Sequence, residues 1–165
     1  MDQARFMGTW YEITRDWTFT PEANSDCGVE IYHDKTGYIG VEFRMVFWYW
    51  WFQAFVVEQN LKCGSDGKCQ ISPFVSGDTN LDEGEPNFMI VDTDYDNYAV
   101  VYSCINVFWG LWHYDAHWGM TREKTPSADY INTNIKKVMD DAVPDYNFDF
   151  HAYYAKHGDD NCSYD

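Results

Sequence analysis

Five cysteines, at positions 27, 63, 69, 104 and 162, are the side chains here best suited to covalent or metal chemistry. A zinc site would need paired spacings such as C-x-x-C with a matching second pair, and none is present. The run Cys63-Gly64-Ser65-Asp66-Gly67-Lys68-Cys69 instead closes over a turn-rich loop, which predicts a local disulfide across a hairpin. Four of the five cysteines could pair, so an oxidising, secreted setting is expected. His33, His113 and His117 could each hydrogen-bond the polar end of a ligand, although a lone histidine facing solvent is the commoner arrangement. No Ser/His/Asp set, paired acid or metal-ligand spacing calls for catalysis. The expectation is therefore no catalytic residue, no catalytic cofactor and no metal. Acid pairs such as Asp140-Asp141 read as solvated surface.

Composition narrows the partners. The 165 residues include 8 Trp, 13 Tyr and 11 Phe, 19% aromatic in all. Aromatics suit pleated strands, but they also suit a cavity or surface that handles flat, conjugated or greasy molecules. A formal net charge of −16 argues against nucleic acid or an anionic membrane as partner. No apolar run reaches the roughly 18 to 20 residues that span a bilayer. The longest is Met45 to Phe52, so no transmembrane segment is expected. Met1-Asp2-Gln3 reads as a mature or trimmed N-terminus with no signal peptide in view.

The elements that would position these groups are mostly strands. Thr9 to Asp16 and Cys27 to Asp34 read as the first two. From Ile39 the odd positions Val41, Phe43, Met45 and Phe47 are apolar and alternate with Gly40, Glu42 and Arg44, a period of two. Trp51 to Gln59 follows. The connection Phe47-Trp48-Tyr49-Trp50-Trp51 lacks the Gly, Pro, Asn or Asp of a tight turn. It reads as a hairpin tip built of aromatics that contacts something. Lys68 to Val75, Asn87 to Thr93, Asn97 to Asn106 and Trp112 to Thr121 complete eight strands. In the last, Trp112, Tyr114, Ala116, Trp118 and Met120 share one face. Ser127 then caps a helix whose apolar stripe is Ile131, Ile135, Val138, Met139 and Ala142, ending before Pro144. Phe148 to Ala155 is expected to be a ninth strand. Sequential hairpins of this kind predict an all-β, eight-stranded antiparallel up-and-down barrel with one C-terminal α-helix packed outside. One domain over 1–165 is expected, with the barrel about 8–122, the helix about 128–142, and the terminal strand and tail 148–165.

Three short motifs occur in an order that resembles the lipocalin family. Gly8-Thr9-Trp10 opens the first strand, Thr93-Asp94-Tyr95 precedes Asn97 to Cys104, and Arg122 lies shortly before Thr125-Pro126-Ser127. The T-D-Y and Y-x-x-V-Y-S-C run is similar to the branch containing apolipoprotein D, the insect bilin-binding proteins and the crustacyanins. The resemblance implies that Trp10 plugs the closed end of the barrel, with the Arg122 guanidinium stacked across its indole. It also implies a Cys27–Cys162 disulfide. Cys104 would pair in that branch with a cysteine upstream of the first strand; none stands there in this chain, which leaves Cys104 either free or paired with a cysteine of a preceding segment.

The resemblance further implies a small hydrophobic ligand in the barrel, entering opposite Trp10. Phe43, Met45, Trp112, Tyr114 and Trp118 are the expected cavity liners; Phe47, Trp48, Trp50, Trp51 and Trp109 are expected at the rim. An aromatic rim favours a conjugated ligand, a carotenoid such as astaxanthin or a bilin. It also favours homo- or hetero-oligomers with other lipocalin subunits. The alternatives are transport of a colourless fatty acid or sterol, and a lipocalin-type isomerase, which would need a nucleophilic cysteine in the cavity. The faces of residues 51–57 and 98–104 stay ambiguous, because both are apolar.

Overall fold

The computed structural model describes residues 1–18, 22, 24–47, 53–72, 81, 85–107, 112–143, 146–158 and 162. A short helix, α1 (Gln3–Phe6), is capped by Asp2, whose carboxylate accepts from the Arg5 amide at 3.3 Å. Strands β1 (Gly8–Asp16), β2 (Ser25–Lys35), β3 (Tyr38–Phe47), β4 (Gln53–Cys63), β5 (Lys68–Ile71), β6 (Phe88–Thr93), β7 (Tyr98–Val107) and β8 (Trp112–Thr121) then follow in order. Each pairs antiparallel with the next, and β1 pairs with both β2 and β8, which closes the barrel. Closure removes the edges that an open meander would expose. A ninth strand, β9 (Ala152–Tyr154), lies outside, paired with the end of β1.

Two strands differ from their sequence reading. β4 continues to Cys63 rather than stopping at Gln59, since the hairpin register Cys63↔Cys69 carries the pairing to the disulfide. β5 ends at Ile71, with Ser72 already out of the strand; Pro73 to Val75 of the expected strand lie outside the described residues. The Asn87 side chain accepts from the Ile71 amide (2.8 Å) and donates to its carbonyl (3.1 Å), taking the place of a partner strand. The stretch expected as one strand from Phe148 is divided. Asn147 caps a helical turn, α4 (Phe148–His151), its side chain accepting from Phe150 N, and only Ala152–Tyr154 pairs as strand.

The helix begins at Ser127, whose hydroxyl accepts from the Tyr130 amide. It runs as α2 (Ala128–Tyr130), a π-helical segment (Ile131–Lys136) and α3 (Lys137–Ala142). Thr133 and Asn134 donate side-chain hydrogen bonds to the carbonyls of Asp129 and Tyr130 four residues back, which competes with the ordinary ladder and widens the turn. Ile131, Ile135 and Met139 are buried against Ile13, Val100 and Phe148, so the helix seals the outside of β1 and β7. Ala142, expected on that stripe, is exposed at the helix end.

Register settles the face of residues 98–104 and of Val56 and Val57; residues 51 and 52 lie outside the described residues. In β7, Ala99, Val101 and Ser103 pair with the interior positions Met120, Trp118 and Ala116, and Cys104 pairs with Asp115 on the outside. In β4, Val57 opposes Phe43 and is buried, while Val56 is exposed.

Candidate ligand-binding site

The closed end is built first, because everything above it depends on the plug. Gly8 adopts φ +99°, a left-handed conformation that L side chains rarely take, and a Cβ there would stand 3.3 Å from Arg122 Nη1. Two residues on, Trp10 is fully buried and donates its indole N–H to the Phe6 carbonyl at 2.9 Å. The Arg122 guanidinium lies 3.7 Å from the Trp10 ring centre. Its N–H groups donate to the carbonyls of Thr9 (2.8 Å), Met7 (2.9 Å), Arg5 (3.1 Å) and Tyr95 (3.2 Å). The Thr93-Asp94-Tyr95 turn holds the last of these in place. The Asp94 carboxylate accepts from Asn97 N (2.7 Å), Tyr98 N (3.0 Å) and Asp96 N (3.2 Å). Burial pushes the Asp94 carboxyl up, but these hydrogen bonds outweigh it and hold the group below the usual carboxylate range.

Above the plug most of the interior wall is apolar. Tyr32, Ile39, Val41, Leu61, Phe88, Ile90, Ala99, Val101, Ala116, Trp118 and Met120 form one buried cluster with Phe6 and Trp10. Of the expected liners, Phe43, Met45 and Trp118 are buried at interior-facing positions. Trp112 and Tyr114 stand in β8 in register with Val107 and Ile105. Phe47 is half-buried at the end of β3. Trp48, Trp50, Trp51 and Trp109 lie outside the described residues. At the same end Trp17 is 53% exposed and meets Phe150, 68% exposed, edge to face at 6.5 Å.

A polar group inside the barrel is the feature that the sequence reading missed. Glu12, Arg15, Glu22 and Glu30 sit among these apolar walls. Arg15 donates to the Glu12 carboxylate, to the Glu22 carbonyl (2.9 Å) and to the Ser25 carbonyl, and it stacks on Tyr153 at 4.5 Å. The Glu22 carboxyl accepts from the Trp118 indole N–H at 2.9 Å. Glu30 accepts from the Tyr32 hydroxyl. Burial pushes Glu30 up to about 7, with Glu12 adding repulsion, and pushes Glu22 well above the usual carboxylate range. A signal was present: Glu12 shares the strand parity of Trp10, and Glu30 that of Tyr32, so both had to point inward.

The outer face carries the remaining chemistry. His33 and His113 are exposed, as expected of lone histidines on solvent-facing positions. His117 also points outward but is buried, covered by Tyr146 from the segment after the helix, with ring centres 4.9 Å apart. Asp16 accepts from His117 N and Nδ1, both at 2.8 Å, and from the Tyr146 hydroxyl at 2.6 Å. Cys104 is on the same face, and burial together with the Asp115 hydrogen bond pushes its thiol up. Cys27–Cys162 and Cys63–Cys69 are bonded, and Cys104 is free.

Comparison with known proteins agrees with this geometry. Residues 68–143, β5 through the helix, match the Lipocalin / cytosolic fatty-acid binding protein family. Apolipoprotein D from Cavia porcellus is 38% identical over 52 residues, a match spanning 32% of this chain and 26% of that protein. Among solved structures, insecticyanin from the tobacco hornworm Manduca sexta superposes with a TM-score of 0.73 at 19% identity, covering 99% of this chain and 85% of that one. Lobster apocrustacyanin A1 gives 0.70 at 16% identity, over 96% and 81%. The cockroach allergen Per a 4 gives 0.70 at 17%, over 94% and 88%. At these identities the superpositions establish the shared barrel.

Proposed function

We propose that this chain, a lipocalin barrel resembling the apolipoprotein D and crustacyanin branch, is an extracellular carrier of a small hydrophobic ligand, and that it is not an enzyme. One observation carries the reading: the barrel is plugged at one end by Trp10 and Arg122, while Phe43, Met45 and Trp118 face inward above the plug. Transfer of an apolar body from water into such a pocket contributes roughly 25 cal/mol per Å² of area removed from solvent. Phe43, Met45, Trp112, Tyr114 and Trp118 line the cavity in this proposal. Phe47, Trp48, Trp50, Trp51 and Trp109 grip a ligand that protrudes from the mouth. A conjugated ligand, a carotenoid or a bilin, fits best, because flat π-systems stack on aromatic side chains. Trp17 and Phe150 are exposed aromatics, which supports assembly with other lipocalin subunits. Two disulfides favour an oxidising, extracellular setting.

The match to apolipoprotein D supports a second reading, transport of a colourless lipid. An isomerase would need a reactive thiol in the cavity, whereas Cys104 faces outward with its thiol pushed up. The absorbance spectrum of protein purified from its natural source separates the two carriers. A long-wavelength visible band is expected, and a colourless sample would leave fatty acid or sterol. A strict monomer in size-exclusion chromatography would remove the assembly reading.

A further inference from the structure

Inside the barrel the described residues place three carboxyl groups, Glu12, Glu22 and Glu30, against one guanidinium, Arg15. Arg15 is fully engaged: it donates to the Glu12 carboxylate and to the carbonyls of Glu22 and Ser25, and its flat face rests on Tyr153. Glu22 and Glu30 receive only neutral donors there, the Trp118 indole N–H and the Tyr32 hydroxyl. Glu30 pairs across β1 with Trp10 and across β3 with Phe43, both buried interior residues. It is half-buried, on the interior-facing parity of β2 that Tyr32 shares. Three carboxyl groups share one guanidinium here, so carboxylate outnumbers the cation that balances it inside the barrel.

We infer that the lumen selects a ligand whose inner end is a protonated or N–H-donating nitrogen, set against Glu30 with Glu22 nearby, and rejects one that ends in a carboxylate. This rests on the barrel being the ligand site. A nitrogen head supplies a donor and a positive charge beyond those of Arg15, which is already engaged, and the conjugated body extends past Trp118 toward the mouth. An anionic head would add a fourth carboxylate to three. Charge-assisted hydrogen bonds are about twice as strong as neutral ones, so the preference is large enough to measure. Around Glu30 the charged and titratable neighbours are Glu12 and Arg15 from β1, Glu22 from the segment before β2, and Tyr32 on β2 itself. Affinity for the cation rises with pH as Glu30 ionises.

Retinylamine, retinol and retinoate share one conjugated body and differ only in the head, so titrating each by quenching of tryptophan fluorescence isolates the head group. Retinylamine is expected to bind about tenfold more tightly than retinol, and retinoate more weakly than both. Glu30→Gln should cost retinylamine about tenfold while leaving retinol within about twofold. Glu22→Gln should weaken retinylamine in the same direction. Equal binding of all three heads, or an unchanged amine affinity in Glu30→Gln, overturns the head-group inference and leaves the pocket standing. If none of the three binds, the pocket reading falls, and the inference with it.

Discussion

The guanidinium of Arg122 and the indole of Trp10 are stacked 3.7 Å apart at the closed end, although 112 positions separate them in the chain. Arg122 also donates to five carbonyls, those of Arg5, Phe6, Met7, Thr9 and Tyr95, so one side chain ties α1, the start of β1 and the Thr93-Asp94-Tyr95 turn together. Arg122→Met keeps the bulk but removes the donors. It should cost about 3 kcal/mol, since hydrogen bonds from a charged donor contribute about 1.5 to 3 kcal/mol each and do not add fully. Arg122→Lys, with one compact ammonium, should recover only part of the loss. Urea unfolding midpoints for the three proteins give the order.

The two disulfides should contribute very unequally. Chain entropy assigns about 5 kcal/mol to closing the long Cys27–Cys162 loop and about 2 kcal/mol to the short Cys63–Cys69 loop. Their sequence separations are 135 and 6. Replacing each pair with serine and comparing denaturant midpoints tests the ranking. A larger loss from the short loop would contradict it.

Glu30 makes stability fall as pH rises. Its ordinary value is 4.5, and burial raises it to about 7 in the fold. A raised carboxyl contributes stability that is fully present below the unfolded value and lost as pH climbs through the folded one, here between about 4.5 and 7. The loss should reach about 3 kcal/mol at most. His157 works in the opposite direction, because burial lowers its value and acid must charge it. The difference between wild type and Glu30→Gln cancels that background. The variant should match wild type near pH 4.5 and exceed its melting temperature at pH 8; parallel curves at both values would refute the assignment.

Asp16 holds the segment after the helix against the barrel through His117 and Tyr146. Asp16→Ala should leave buried donors unpaired and cost about 3 kcal/mol. Hydrogen exchange should rise locally in residues 146–154, which include β9. Uniform exchange across the barrel would instead indicate a global effect.

Local pattern was enough for the barrel. The alternation from Ile39 to Phe47 and from Trp112 to Thr121 states which side of each strand is apolar, because side chains reverse every residue along an extended chain. Gly8, Trp10 and Arg122 were legible only through the resemblance of three short motifs to a known family; the left-handed glycine and the stacked guanidinium themselves are seen in the fold. The ends of β4 and β5 were less legible: a disulfide register extends one, and the Asn87 side chain truncates the other. The charged interior belonged to the tertiary structure. Glu12 and Glu30 carry the correct parity, but a carboxylate on a strand is ordinarily read as solvated. Only closure of β1 onto β2 and β8 takes these groups out of water, and only the fold of the chain before β2 brings Glu22 to Trp118. Strand period is a property of neighbours in sequence. Desolvation depends on what the whole sheet encloses, and so the chemistry of the lumen was decided when the barrel closed.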